Sequence, residues 1–553
     1  MSDPLTDADD DASTPLTPDE RAALIPSYIT LRSELNEVEQ IGIDKADEWA
    51  VAIDSQGWPQ FAAWGDDAQR PRQGWWPTIV QTLAGPSGPV PDRLTVRFAR
   101  VCRLVAVLAG LAVASHARAQ TAAESASNQV PAAGREADSS LTFDGLTLYG
   151  TVDIGVAHLD HGAPLSPDHG PGLTFMIQKF SNRAITSVAP NGLSQSKIGL
   201  MGHEPLGDGV SVIFKLETGY QPTSGKLTDG PKSLIKSDGK PLDQQADSGD
   251  SSRAGQIFQG AAYVGLQSRT YGTLTYGWQN GVLLDDLQKY DPQLQSQAFS
   301  PIGTSGTAAG GGDTEDSRLD NSLKYAVQRG LARLVVLHQF PSHNGQPGTA
   351  DEVDIGGDAA GFSLDGSLTV VRDAIAAASL NAAQAATHPG TLAATASNNT
   401  TWSLQGKYAR EQAKLYAGYE HIEYTNPDHA IGNGSKGLGG YVLSVVNNDA
   451  FSHHRVLQIS WVGMRYALTP ALDITAAYYR YDQNSFKGNG CADRSATSCS
   501  GTMNAGSVVA DYRLTRQFDM YLGVNASGVA DGLASGFLKT SAVSQMGGVR
   551  FSF

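Results

Sequence analysis

The sequence predicts an all-β chain, a transmembrane antiparallel β-barrel of about sixteen strands with short periplasmic turns and long extracellular loops. Three observations predict it. Large apolar residues alternate with small or polar ones along many short segments. Tight turns alternate with long stretches rich in Gly, Ser, Asp and Asn. No run of eighteen or more apolar residues occurs, which excludes helical spans but not a barrel, whose alternating strands never raise mean hydropathy much.

Composition agrees. The 553 residues include 40 Lys or Arg against 56 Asp or Glu, a formal charge of -16, which argues against nucleic acid as a partner. Charged residues are 17% and Gly numbers 61, a low charge and a high glycine content for a helical soluble enzyme. Three Cys in this length exclude a disulfide-built scaffold.

The chain changes character near residue 93. Residues 1 to 92 carry 17 acidic and 5 basic side chains and read as an acidic N-terminal extension, disordered or an overextended gene start. Residues 93 to 119 then hold Arg93, Arg97, Arg100, Arg103 and Arg118 without an acid, an apolar run from Leu104 to Ala114, and Ala117-Arg118-Ala119. That is the pattern of a signal peptide cleaved between Ala119 and Gln120, with an amphipathic or core helix as the alternative. Within the extension, Leu16-Thr17-Pro18-Asp19-Glu20-Arg21 and Leu31-Arg32-Ser33-Glu34-Leu35-Asn36-Glu37 resemble the opening of the Fic-related family called mobile mystery protein B. That family's His-Pro-Phe and Gly-Asn-Gly-Arg motif is absent, so no chemistry is carried over.

Residues 120 to 144 form a loose polar start, and residues 145 to 553 the barrel. Leu146 to Val156 alternates with large apolar residues at even positions. In Ser211 to Glu217, Val212, Phe214 and Leu216 share one face and Lys215 and Glu217 the other. One face suits lipid and the other a watery lumen. Strands are expected to begin near residues 145, 194, 209, 255, 272, 320, 331, 353, 366, 400, 413, 455, 471, 503, 518 and 543. Ten residues at ~3.3 Å, tilted by ~40°, rise about 25 Å, the height of an outer-membrane apolar band. Long connections fall at 221 to 254, 280 to 319, 378 to 400, 425 to 454 and 485 to 501.

Four segments carry a family resemblance. Ser196-Lys197-Ile198-Gly199-Leu200-Met201-Gly202-His203-Glu204, running through Gly207-Asp208-Gly209 to Ile213-Phe214-Lys215-Leu216-Glu217, is similar to the second hairpin of general porins of the Burkholderia and Neisseria type. Ala262 to Leu266 with Gly272 to Gly277, then Arg318 to Tyr325, and the opening Leu148 to Asp153 resemble the same family in the same order. The resemblance implies a homotrimeric sixteen-stranded barrel in the outer membrane, surrounded by lipopolysaccharide. Small hydrophilic solutes would diffuse through it, and the third long loop would fold inward as a constriction. It also implies that the C-terminal strand, ending at Phe553, is the signal read by the barrel-assembly machinery.

The resemblance further implies a constriction of wall cations against loop acids. Lys197 and Arg318 fall on two of the basic positions, while Met201, Gly260 and Trp278 depart from the pattern. The third loop offers Asp285, Asp286 and Asp291 near its start and Asp313, Glu315 and Asp316 near its end. An acid-rich loop facing a thinned basic wall leads to an expected preference for cations.

Cys491 and Cys499, eight residues apart in one loop of an exported chain, are expected to form a disulfide. No metal set and no cofactor is expected. His158, His338 and His421 lack a catalytic neighbourhood, so no enzyme activity is expected. A substrate-specific porin and a secreted all-β adhesin are the competing readings.

Overall fold

A computed structural model describes residues 49–53, 59–63, 141–168, 175–246, 254–303, 314–315, 317–341, 348–487 and 491–553. The chain divides into two compact units, Met1–Ser125 and Ala126–Phe553. In the first, Trp49–Ile53 and Pro59–Ala63 pair as an antiparallel hairpin. Ala119 and Gln120, the expected cleavage site, lie outside the described residues.

The second unit is a closed 16-strand barrel. Its strands are β1 (Leu146–Gly162), β2 in two segments (Arg183–Pro190 and Lys197–Gly207), β3 (Val210–Gly219), β4 (Ala261–Ser268) and β5 (Gly272–Asn280). Then come β6 (Arg318–Arg329), β7 (Ala332–Gln339), β8 (Thr349–Ala359), β9 (Phe362–Ala378), β10 (Leu392–Arg410) and β11 (Ala413–Thr425). The circuit ends with β12 (Arg455–Ala467), β13 (Leu472–Gln483), β14 (Gly501–Arg513), β15 (Phe518–Asp531) and β16 (Ser541–Ser552). Each pairs antiparallel with its neighbours, and β16 closes on β1 in the register Ser544↔Leu159 to Ser552↔Thr151. Beyond it, Phe553 and Gly150 exchange both backbone hydrogen bonds, at 2.9 and 3.0 Å. Closure leaves no sheet edge, the condition for a sheet to cross lipid.

The side-chain period of two sets the faces. Leu148, Val156, Leu266, Leu364, Leu404 and Leu522 point outward and are exposed on the outer wall. Tight turns join β2 to β3, where Gly207, Asp208 and Gly209 all have positive φ, and likewise β4–β5, β6–β7, β8–β9, β10–β11, β12–β13 and β14–β15. The other ends carry the long connections. Among the described residues no helix is long and apolar enough to cross a membrane.

Two features depart from the simple alternation. First, the inner faces of β11 to β13 are apolar toward the long-loop end. Ile422, Tyr424, Leu457, Ile459, Tyr479 and Tyr481 are buried there. Met176, Ile177, Ile302, Phe451 and Phe486, from connections folded back into the barrel, cover them. The lumen is therefore walled by a packed core on one side, and its polarity is confined to the rest. Second, β2 is broken. Its first segment pairs with Ile154 to Gly162 of β1 and its second with Leu146 to Thr151. Between them, residues 191 to 196 leave the ladder.

The expected strand starts agree within a few residues around most of the circuit. The exceptions are the missed segment Arg183–Pro190, β4 beginning at 261, and β10 beginning at 392. Leu392 to Ala396 is built of small residues and reads as loop. It is held as strand between Ala374–Ala378 of β9, to which it pairs antiparallel, and Tyr441–Asn447, to which it pairs in parallel, one arm of a hairpin in the connection at 425 to 454.

Candidate pore constriction

The connection between β5 and β6 opens with helix α1 (Val282–Tyr290). Val282, Leu283, Leu284, Leu287 and Tyr290 are buried along one face, a helical spacing that packs the element against the inner wall. Gly281 sits at the N-cap in an extended conformation, and the Glu352 carboxylate of β8 accepts the Val282 N–H at 2.6 Å. An acid there meets both an orphan donor and the positive end of the helix dipole.

Past the helix the chain is pinned to the wall strand by strand. The Trp461 indole donates to the Tyr290 carbonyl at 3.2 Å, and the Tyr479 hydroxyl donates to Asp291 at 2.6 Å. Asp291 also accepts the N–H groups of Gln293 and Gln295, which turns the chain at Leu294 and Gln295, both with positive φ. Gln293 donates to Ser507 at 2.9 Å, and Ser296 donates to the Gly192 carbonyl at 2.8 Å in the break of β2. The wall is notched to receive this path. A Cβ at Gly463 would lie 2.4 Å from Pro292, and one at Gly523 would lie 2.6 Å from the Phe299 ring. Residues 281 to 303 therefore run inside the barrel from β8 across to β15 and β2.

Beside the start of this path lies a strip of charge on β1 to β6. Lys197 of β2 and Lys215 of β3 share Glu217, at 3.0 and 3.5 Å. The Tyr149 hydroxyl donates to the same carboxylate at 2.9 Å, and the two ammonium groups lie 6.0 and 5.6 Å from the centre of the tyrosine ring. Lys324 of β6 pairs with Asp285 and donates to the Asn280 carbonyl at 3.1 Å. Arg318 donates to the Gly260 carbonyl at 3.3 Å. In this strip Lys215 is the more solvent-exposed partner, 29% against 11% for Glu217.

The sequence-expected residues therefore separate. Lys197, Arg318 and Asp285 lie at the strip. Asp286, Asp291 and Glu315 are buried, at 7%, 0% and 0% exposure. Burial holds the carboxyls of Asp286 and Asp291 above the usual range, for Asp286 with the added charges of Asp354, Asp365 and Asp285. They do not form a row facing the solute path, because the loop lies flat on the wall and turns these carboxyls into it. Asp313 and Asp316 fall outside the described residues. Phe553 ends the chain against β1, its ring 5.8 Å from that of Phe551. Cys491 and Cys499 are joined in a disulfide.

Lys197 and Arg318 have further basic neighbours along the inner wall. Besides Lys215 and Lys324, Lys289 of α1 and Arg333 of β7 both bind Asp365 of β9, at 2.7 and 2.6 Å. Lys407 of β10 lies 5.9 Å from the Tyr290 ring centre. The alternation of β3 had already turned Lys215 to the water face. Arg333 carries no such signal, since Leu334, Val335, Val336 and Leu337 follow it without a polar break.

Residues 105–528 match the family described as Gram-negative porin. The chain belongs to that family. It is an outer-membrane porin barrel, and its sequence is 25% identical over 200 residues to an outer membrane porin protein of Bordetella pertussis. The match covers 36% of this chain and 40% of that relative's length. In fold, this porin is similar to the anion-selective porin from Comamonas acidovorans, with a TM-score of 0.50 at 15% identity over 74% of this chain and 99% of that one. A loop-deletion form of OmpT of Vibrio cholerae gives a TM-score of 0.47 at 12% identity, over 74% and 99% of the two chains.

Proposed function

We propose that this porin is a water-filled channel through which small hydrophilic solutes and ions diffuse, narrowed by residues 281 to 303. One observation carries the reading. A closed barrel too wide to be filled by its own side chains has the β5–β6 connection laid inside it, pinned to its wall and bordered by a charged strip.

In the same reading, permeation favours anions modestly. Lys197 and Lys215 are more exposed than the Glu217 they share, 18% and 29% against 11%, although Lys324 is less exposed than Asp285, 13% against 23%; among the described acids of the loop, Asp286, Asp291 and Glu315 are buried. Lys289 and Arg333 likewise screen Asp365, with 25% and 16% exposure against 2%. Fields focus in a narrow pore between low-dielectric walls, so the charges nearest the water dominate. This replaces the cation preference expected from counting loop acids. Assembly as a homotrimer, export with cleavage after Ala119, and recognition of the Phe553 strand by the assembly machinery complete the proposal. The test is reversal potential in a planar bilayer under a salt gradient, and a cation preference at low salt would overturn the selectivity reading.

A further inference from the structure

Where α1 meets the wall, Asp286 of the helix, Asp354 of β8 and Asp365 of β9 bring carboxylate oxygens within 4.8 Å of one another. All three are buried, at 7%, 3% and 2% exposure. Asp365 is satisfied, since Arg333 donates to one oxygen and Lys289 and the Tyr290 hydroxyl to the other, at 2.6, 2.7 and 2.5 Å. Asp286 and Asp354 are not. Among the described residues, Oδ2 of Asp286 and Oδ1 of Asp354 are withdrawn from water with no hydrogen-bond partner. Glu420 of β11, outside the triad, is fully buried with both oxygens likewise unpartnered, and its charge acts on that of Asp286. The two cations at the cluster, Lys289 and Arg333, donate to Asp365, and Arg333 also pairs with Asp358; three clustered carboxylates and the nearby Glu420 thus outnumber the cations that act on them.

A buried carboxylate without a donor is costly unless it binds a proton or a cation. The donor set here is all oxygen, with no His or Cys, which selects a hard ion over zinc or copper. Two oxygens on opposite sides of a calcium ion stand about 4.6 to 5.2 Å apart, and three around it stand closer. The separation in the triad lies within that reach. The remaining coordination positions would be water from the lumen.

We propose that Asp286, Asp354 and Asp365 hold a hard divalent cation, calcium or magnesium, which ties α1 of the constriction loop to β8 and β9. The proposal is independent of what the lumen conducts. Its occupant would carry part of the attachment of the loop, alongside the hydrogen bonds from Tyr479, Trp461 and Gln293.

Terbium is the probe, because Tyr290, bonded to Asp365, would sensitise its luminescence. EDTA-stripped, detergent-solubilised barrel is titrated with Tb³⁺. The expected result is one saturable equivalent per chain, displaced by excess Ca²⁺, with affinity at least tenfold weaker in the D286N/D354N double variant. Absence of a saturable signal, or an unchanged affinity in the variant, would overturn the proposal and leave protons as the counter-charge. Should the variant not fold, anomalous diffraction from the Tb³⁺-loaded parent decides. A peak among the three carboxylates supports the site, and peaks confined to the outer loops overturn it.

Discussion

The Tyr521 hydroxyl donates to the Asp153 carboxylate at 2.6 Å, joining β15 to β1 across the strand between them. The same carboxylate accepts the N–H groups of Gly192, Leu193 and Ser194, at 3.2, 2.9 and 2.9 Å, in the break of β2. Gly192 in turn receives Ser296 of the constriction loop. One buried acid therefore fixes the barrel seam and the far anchor of the loop.

Tyr521→Phe removes one donor of four and should cost about 1–2 kcal/mol. Asp153→Ala strands three N–H groups and the hydroxyl together, and should cost about 3–5 kcal/mol. Urea unfolding of refolded barrel measures both. Equal losses would mean that Asp153 does not organise the break.

Replacing Lys215 and Lys324 by Gln removes two charges from the strip while keeping a polar, unbranched side chain. The ratio of anion to cation permeability should fall by roughly twofold or more at low salt, and less at 1 M, where screening is near 3 Å. The comparison is of reversal potentials at the two ionic strengths. No change at either would place the strip away from the solute path.

The Asp286 carboxyl is held above its ordinary range by burial and by Asp354, Asp365 and Asp285. The folded chain thus binds a proton there more tightly than the unfolded chain. Between the ordinary carboxyl range and the raised value, stability falls as pH rises. In EDTA, Asp286→Asn should become progressively more stable than the parent as pH is raised through that window, and match it most closely at acid pH. Unfolding midpoints across pH 4 to 8 test the sign, and a parent that gains on the variant with rising pH would refute it.

Cys491 and Cys499 close a short span in the β13–β14 connection, where Gln483 donates to the Cys499 carbonyl at 2.6 Å and Ser500 donates to the Cys491 carbonyl. The barrel's own stability lies in its closed backbone ladder. Reduction should raise protease sensitivity around residues 491 to 499 while leaving the heat-modifiable gel band intact. Loss of that band on mild reduction would contradict the assignment.

Much of the barrel was legible because lipid and water impose a period of two on each strand. Val212, Phe214 and Leu216 against Lys215 and Glu217 is enough to orient β3. The rule fails where tertiary packing replaces one of the two solvents. Tyr479 and Tyr481 face inward and are covered by folded-in connections, and Leu392 to Ala396 extends β10 through pairing with the end of β9 and with a hairpin some fifty residues away. The sequence assigns the proposed constriction to the third long connection, and the structure brings Lys197, Arg318 and Asp285 of that assignment to one strip. The electrostatics of the site were not legible, since residue type alone does not tell a carboxylate facing the lumen from one turned into the wall, as Asp291 is toward Tyr479.

The most direct test of the account is single-channel recording of the purified barrel in a planar bilayer under a tenfold KCl gradient. The account predicts discrete conductance steps and a reversal potential of the sign set by chloride permeating faster than potassium. Absence of steps would contradict the open, loop-narrowed lumen, and steps with potassium permeating faster would contradict the placement of Lys197, Lys215, Arg318 and Lys324 beside the water path.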